Sequence, residues 1–194
     1  MFGGTFNPPH LGHLLCAQAA VDALALDEVR FVPTRVPPHK TVSEEPGPEV
    51  RAELVAAAIA GDDRFSLSRL ELDRDGPSYT VDTLRAMAAG EPGAEQNLIH
   101  GGDMALSFHA WHRPEEIVTL ASLALVEREE IGDDAIRRAL AGFGRARIVF
   151  FGMVRCDISS TLVRARANAG ASLRYLLPEP VAEIIEHRGL YRLS

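Results

Sequence analysis

Residues 2–13 form the string FGGTFNPPHLGH, and the positions of the other elements can be argued from it. Gly3 and Gly4 carry no Cβ atom, so a phosphate group can come close to the backbone there. A helix that we expect to begin near His13 would point its unpaired N–H groups at the same place. His10 and His13 are three residues apart, so on a helical turn their rings share a face. The stretch therefore predicts a strand, a turn and a helix that together bind an anion.

Helix-type and strand-type segments alternate along the rest of the chain. Strand, helix and strand in that order favour a parallel sheet with right-handed crossovers, in which ligands bind at the carboxyl ends of the strands. We therefore expect a doubly wound parallel α/β sheet in a single domain, 1–194. We expect helices over 14–24, 49–60, 134–141 and 178–188, helix starts at 78–80 and 114–116, and strands at 29–33, 65–67, 98–100, 122–126 and 147–151.

Charge and composition exclude several classes of protein. A net charge of −7 and an isoelectric point near 5.5 argue against broad nucleic-acid binding, which needs a basic surface. No apolar run approaches the ~20 residues of a membrane span, and the N-terminus lacks a signal-peptide pattern. Cys16 and Cys156 form no C-x-x-C pair. We expect a cytoplasmic protein without nucleic-acid or membrane partners and leave its oligomeric state open.

A second anion-type element lies near the C-terminus, in the string DISSTLVR over 157–164. Ser159, Ser160 and Thr161 stand at an expected helix start, where one hydroxyl is enough to cap the helix. The surplus hydroxyls, followed by Arg164 one turn later, predict a second anion subsite.

Three weaker elements lie between the two ends. The proline-rich loop 34–48 contains PPHK over 37–40, in which Lys40 is cationic. Ser78-Tyr79-Thr80 precedes a helix, where Ser or Thr is most simply an N-cap, and free N–H groups there can also bind an anion. Asp103 follows a glycine pair at a strand end, a position that suits a ribose hydroxyl or the helix dipole. Trp111 has polar neighbours, so we expect a partly exposed ring.

The opening stretch resembles the G-T-F-[DN]-P-x-H-x-G-H signature of the nucleotidyltransferase superfamily, and residues 158–164 resemble its I-S-S-T-x-x-R motif. The resemblance implies a Rossmann-like fold and a site for ATP, in which the two histidines bind the triphosphate. Asn7 stands where many members have Asp, which leaves a metal contact there open. The implied ATP-binding residues are Gly3, Gly4, Thr5, Phe6, His10, Gly12, His13, Asp103, Ser159, Ser160, Thr161 and Arg164.

The middle elements resemble those of the nicotinate-nucleotide adenylyltransferases, namely P-P-H-K, S-Y-T-x-D-T-L and a tryptophan followed by isoleucine. That family transfers the adenylyl group of ATP to nicotinate mononucleotide, with Mg²⁺ carried by ATP and no metal ligand assigned in the chain. The resemblance implies that Lys40 contacts phosphate, that Tyr79 and Thr80 hold the pyridine carboxylate, and that Trp111 stacks on the ring. The implied catalytic residues are His10, His13, Lys40 and Arg164.

Other interpretations stay open at this point. Pantetheine-phosphate, flavin and cytidylyl transferases share both end motifs, but the middle elements fit them poorly. A nucleotide sensor on the same fold also fits, whereas a synthetase core would need a K-M-S-K-S loop. Relatives usually carry several apolar residues before the glycine pair, so we expect either a chain that starts upstream of Met1 or a very short first strand.

Overall fold

The structure is a computed structural model that describes residues 1–37, 46–127, 132–144 and 146–192. In this part of the chain, six parallel strands form one sheet in the order β3-β2-β1-β4-β5-β6. The order reverses direction beside β1, which is the place where ligands bind in doubly wound sheets. The predicted α/β fold class is therefore confirmed, and the opening stretch lies at the switch point.

The elements follow the alternation that the sequence predicts. The strands are β1 Phe2–Gly4, β2 Val29–Pro33, β3 Phe65–Leu67, β4 Asn97–Gly101, β5 Ser122–Val126 and β6 Ile148–Phe151. The helices are α1 Leu11–Leu24, α2 Pro48–Ile59, α3 Thr80–Gly90, α4 Gly102–Leu106, α5 Pro114–Leu120, α6 Asp133–Leu140, α7 Ser160–Asn168 and α8 Glu179–Arg188, with a 3₁₀ turn at Phe108–Ala110.

Helices cover both faces of the sheet, and each face has its own apolar core. Neighbouring residues of one strand point to opposite faces, so Ile99 packs in one core and Leu98 in the other. The first core takes residues from α1, α2, α7 and α8, and the second takes them from α3 to α6. This two-sided burial explains why β5, with the sequence SLALV, is buried throughout and mostly apolar. Across the described residues, no helix is long and apolar enough to cross a membrane.

Two local expectations about helix starts are wrong. The first helix begins at Leu11, with His10 as its N-cap, rather than near His13. The N-cap of α3 is Tyr79, and neither Ser78 nor Thr80 caps it through a side chain. The Ser78 hydroxyl instead accepts hydrogen bonds from the backbone N–H groups of Arg35, at 3.1 Å, and Val36, at 3.4 Å. Tertiary hydrogen bonding therefore uses the hydroxyl that local propensity assigns to a cap.

Candidate functional site

The turn between β1 and α1 is tightly built. Gly4 accepts the N–H of Thr34 at 2.9 Å, which extends the pairing of β1 with β2. A Cβ atom on Gly4 would lie 3.1 Å from the Phe6 ring, so the close packing of that ring requires glycine. Phe6 has a φ of 48°, in the left-handed region, and its side chain is buried. A ligand could therefore meet Phe6 through its backbone only.

The two histidines of the opening stretch come together as predicted. Their ring centroids are 3.8 Å apart. The backbone N–H of His10 donates to Nδ1 of His13 at 3.1 Å. Because Nδ1 of His13 accepts, the proton of its neutral ring lies on Nε2. The Phe6 ring packs edge-on against His13 with centroids 5.1 Å apart, which fixes the ring plane.

Burial keeps both histidines neutral in the free protein. Desolvation lowers the pKa of His10 to about 4. Desolvation and the neighbouring His10 lower the pKa of His13 to about 3, against a smaller opposing effect of the backbone hydrogen bond. Nδ1 of His10 is buried without a hydrogen-bond partner among the described residues. The two rings therefore carry no positive charge near pH 7 in the free protein.

Gly12 makes room for this arrangement. A Cβ atom at Gly12 would lie 3.0 Å from Nδ1 of His10 and 3.2 Å from Sγ of Cys156. Such contacts are closer than side chains normally allow, so Ala at this position would displace the His10 ring. Gly12 therefore supports the histidine pair through packing.

The second anion-type segment contacts the first directly. The Ser160 hydroxyl donates to the carbonyl oxygen of Pro8 at 2.8 Å, and Nη1 of Arg164 donates to the carbonyl oxygen of Asn7 at 2.8 Å. The Ser159 hydroxyl caps α7 by accepting the N–H of Leu162 at 3.1 Å. Two segments about 150 residues apart in sequence thus form one site at the carboxyl edge of the sheet.

Thr161 completes the start of α7. Nη2 of Arg164 donates to the Thr161 hydroxyl at 3.3 Å, so the guanidinium bridges the helix and the opening turn. The start of α7 therefore presents a hydroxyl, backbone N–H groups and a guanidinium side by side, as an anion site needs.

The side-chain oxygen of Asn7 forms a hydrogen bond within the protein. Asn7 is buried, and its Oδ1 atom accepts the Tyr191 hydroxyl at 2.7 Å. Over residues 1–37, 46–127, 132–144 and 146–192, no group of three or more His, Cys, Asp or Glu side chains could hold a metal ion.

The predicted pyridine-binding residues lie on neighbouring segments. The Tyr79 ring stacks on His112 with centroids 4.2 Å apart and an angle of 28° between planes. Trp111 is partly exposed, as its neighbours predict, and it packs against His100 and Phe108 at centroid distances of 5.1 and 5.3 Å. Thr80 begins α3, so its N–H is one of the groups that a helix leaves unpaired.

Two further predicted residues have different outcomes. Asp103 lies exposed in the first turn of α4, directly after β4 and at the same edge of the sheet as the histidines. Lys40 and its neighbour His39 lie outside the described residues, so the predicted phosphate contact of Lys40 stays a prediction.

Sequence reasoning missed Arg51, a fully buried residue of α2. Its guanidinium donates to the carbonyl oxygen of Thr5 at 2.8 Å and to that of Thr34 at 2.6 Å. The Arg51 side chain thereby links the opening turn to the end of β2. A signal was present, because Arg51 is four residues before Val55 and so lies on the buried stripe of α2.

The chain is thus an α/β protein with a doubly wound parallel sheet, in which the opening turn and the start of α7 meet at the switch point. The cytidylyltransferase-like family matches residues 1–166. A Geobacillus kaustophilus protein named "Probable nicotinate-nucleotide adenylyltransferase" is 39% identical over 194 residues, which cover 98% of this chain and 84% of the relative. A Rubrobacter xylanophilus protein of the same name is 40% identical, over 99% of this chain and 91% of its own.

The fold is also that of a solved structure, the Plasmodium falciparum nicotinic acid mononucleotide adenylyltransferase complexed with NaAD. The TM-score is 0.76 at 16% identity, and the match covers 98% of this chain and 95% of the other. The chain belongs to the cytidylyltransferase-like family and, within it, to the nicotinate-nucleotide adenylyltransferases.

Proposed function

We propose that this protein transfers the adenylyl group of ATP to the 5′-phosphate of nicotinate mononucleotide. The products are nicotinate adenine dinucleotide and pyrophosphate, and the reaction belongs to NAD biosynthesis. The names of the curated relatives support this assignment. We also propose a cytosolic location, in keeping with the free cysteines and the need for ATP, and a single domain over 1–194.

The observation that carries the proposal is the direct contact between the two anion-type segments. Arg164 and Ser160 bond to the backbone of the turn that bears His10 and His13. A polyphosphate that spans the histidine pair and the start of α7 would therefore meet ring donors, free N–H groups and a guanidinium at once.

The chemistry needs no nucleophile from the protein. A phosphate oxygen of nicotinate mononucleotide attacks the α-phosphorus of ATP, the new P–O bond forms, and the bond to the leaving pyrophosphate breaks. The protein contributes alignment and stabilisation of the charge that develops on the phosphorus oxygens. We assign the Nε2–H group of His13 and the guanidinium of Arg164 to that charge, and His10 and Lys40 to holding phosphate. Tyr79, Thr80 and Trp111 would hold the pyridine part.

Mg²⁺ fits the site as a companion of ATP. When bound to the triphosphate it would neutralise part of the phosphate charge and favour departure of pyrophosphate. The oxygen of Asn7 is already used by Tyr191, so we assign no metal ligand to this residue.

The proposal is tested by mixing the protein with ATP, Mg²⁺ and nicotinate mononucleotide and by measuring pyrophosphate and dinucleotide together. We expect equal amounts of both products and no pyrophosphate when the mononucleotide is left out. Arg164→Ala should lower the rate by about 10²–10³, as for other electrostatic donors. Binding of ATP without product formation would instead indicate a nucleotide sensor and would refute the proposal.

A further inference from the structure

Glu71 is a buried acidic residue that neither the motifs nor the proposed mechanism uses. It follows β3 and is 4% exposed, which is rare for a glutamate unless it is well hydrogen-bonded. The Thr83 hydroxyl, on the first turns of α3, donates to Oε1 of Glu71 at 2.8 Å. The carboxylate thus faces the helix whose start carries Tyr79 and Thr80.

Two more hydroxyl groups face the same carboxylate. Burial raises the pKa of Glu71, and hydrogen bonds from the hydroxyls of Thr83, Ser78 and Thr34 act against that rise, as does the charge of Arg74. Thr83 belongs to α3, Ser78 to the turn before it, and Thr34 to the end of β2. The carboxylate therefore bonds directly to α3 and lies near the turn before it and the end of β2.

Two of these hydroxyl oxygens also accept hydrogen bonds from elsewhere in the protein. The Ser78 oxygen accepts from the N–H of Arg35, and the Thr83 oxygen accepts from Nη2 of Arg74 at 3.2 Å. The Thr83 proton has two acceptors within reach, Oε1 of Glu71 at 2.8 Å and the carbonyl oxygen of Tyr79 at 3.4 Å, and the shorter contact is to Glu71. A carboxylate suits this arrangement because it offers only acceptors.

The same segments continue into the proposed substrate site. The N–H of Ser78 donates to the carbonyl oxygen of Val36 at 3.1 Å, directly before the loop that carries Lys40. Thr34 donates its N–H to Gly4 and accepts from Arg51, which also holds Thr5. The Glu71 cluster, by which we mean Glu71, Thr83, Ser78, Thr34 and Arg74, therefore borders the pyridine side of the site and connects to the phosphate side.

We propose that Glu71 is a positioning residue that sets the 78–80 turn for recognition of a pyridine carboxylate. It touches no substrate atom in this account, and it acts through Ser78 and Thr83. The inference rests on the proposed function, since it assumes that the free N–H groups at the start of α3 bind the acid form of the mononucleotide. Misplacing those N–H groups would weaken binding of a carboxylate more than that of a neutral amide, because a charge-assisted hydrogen bond loses more.

Glu71→Gln tests this role with a change of a single group. The amide offers one oxygen where the carboxylate offers two, and its NH₂ faces hydroxyls whose oxygens already accept. We expect kcat/KM for nicotinate mononucleotide to fall about 10- to 100-fold, the range for a misplaced binding group. KM for ATP should change less than about 3-fold, because the cluster reaches the phosphate side only through the backbone of Thr34, which the substitution leaves in place.

The decisive readout is the ratio of kcat/KM for nicotinate mononucleotide to that for nicotinamide mononucleotide. Glu71→Gln should lower this ratio at least about fivefold, since mainly the acid loses binding. Thr83→Val, which removes a hydroxyl, should act in the same direction, and Thr83→Ser, which retains it, should restore the ratio. Glu49→Gln is the matched control, because Glu49 pairs with Arg69 on the surface and should leave the ratio unchanged.

The outcomes separate the two proposals. If the unmodified protein forms no dinucleotide, the proposed function fails before any variant is measured. If the unmodified protein is active but the ratio is unchanged in both Glu71→Gln and Thr83→Val, the cluster is merely structural and the inference is overturned. Should Glu71→Gln fail to fold, the Thr83→Val and Thr83→Ser pair decides in the same way.

Discussion

His13 has two roles that two substitutions can separate. Its Nδ1 atom accepts the N–H of His10 at 3.1 Å, and its Nε2–H group is the donor that we assign to phosphate. An Asn oxygen lies near the position of Nδ1, whereas a Gln amide nitrogen reaches that of Nε2. His13→Asn should therefore keep the turn and remove the phosphate donor, and His13→Gln should do the reverse.

The size of each effect follows from these contacts. Removal of one preorganised donor costs about 10²–10³ in kcat, so we expect that loss in His13→Asn. Its melting temperature should stay within about 2 °C, because the backbone N–H keeps an acceptor. In His13→Gln the unpaired N–H costs about 1–3 kcal/mol. For a chain of this length the melting temperature shifts by about 2–4 °C per kcal/mol of stability, so the melting temperature of His13→Gln should fall by at least about 2 °C. Its kcat should fall less than about 10-fold.

The assay combines single-turnover rates of pyrophosphate release with thermal melting of the same preparations. Single turnover reports the chemical step even where product release limits kcat. The argument is refuted if His13→Asn keeps a rate within about threefold of the unmodified protein, which is far less than a lost donor costs. It is also refuted if both variants lose rate and melting temperature in parallel.

Three further predictions follow from the buried polar groups and Trp111. The pKa values of His10 and His13 lie below the 6.5 of an unfolded histidine, so stability is retained above pH 6.5 and lost as pH falls towards 4. Each histidine should lower the free energy of unfolding by about 2 kcal/mol by pH 5. Urea unfolding at pH 7 and pH 5 should therefore show a smaller loss of stability in His13→Asn than in the unmodified protein. Equal losses would contradict the pKa assigned to His13. Arg51→Met should lower the free energy of unfolding by about 3 kcal/mol or more, because the carbonyl groups of Thr5 and Thr34 lose the buried guanidinium that donates to them. An unchanged free energy of unfolding in denaturant would contradict this. Trp111→Ala should raise KM about 5- to 30-fold for acid and amide mononucleotides alike, and steady-state kinetics that show a loss for one alone would count against ring stacking.

The sequence predicts the order of strands and helices because the spacing of apolar residues and the positions of turn residues are local signals. Strand β5 is buried throughout, and its run of apolar residues between turn signals was sufficient to find it. The two anion-type segments were found for the same reason, as glycines and hydroxyls cluster at helix starts. Their mutual contact, through Arg164 and the Asn7 carbonyl, joins residues far apart in sequence and could not be predicted from spacing.

The burial and hydrogen bonds of polar residues are harder to predict from the sequence. Glu71 lies between two leucines in a turn segment, where no periodic pattern marks it as buried. Ser78 was predicted as a cap because propensity considers the helix alone, whereas the structure uses its hydroxyl to hold the end of β2. Tertiary hydrogen bonds that compete with local ones are therefore the main source of error.

The most direct test of the account is the choice between nicotinate and nicotinamide mononucleotides as acceptor for the adenylyl group. Free N–H groups at the start of α3 favour a carboxylate, and an amide would lose a charge-assisted bond and leave a donor unpaired. That loss is worth about 2–4 kcal/mol, so kcat/KM measured by dinucleotide formation should favour the acid by at least ~30-fold. Comparable values for the two acceptors, or a preference for the amide, would contradict the assignment of this site.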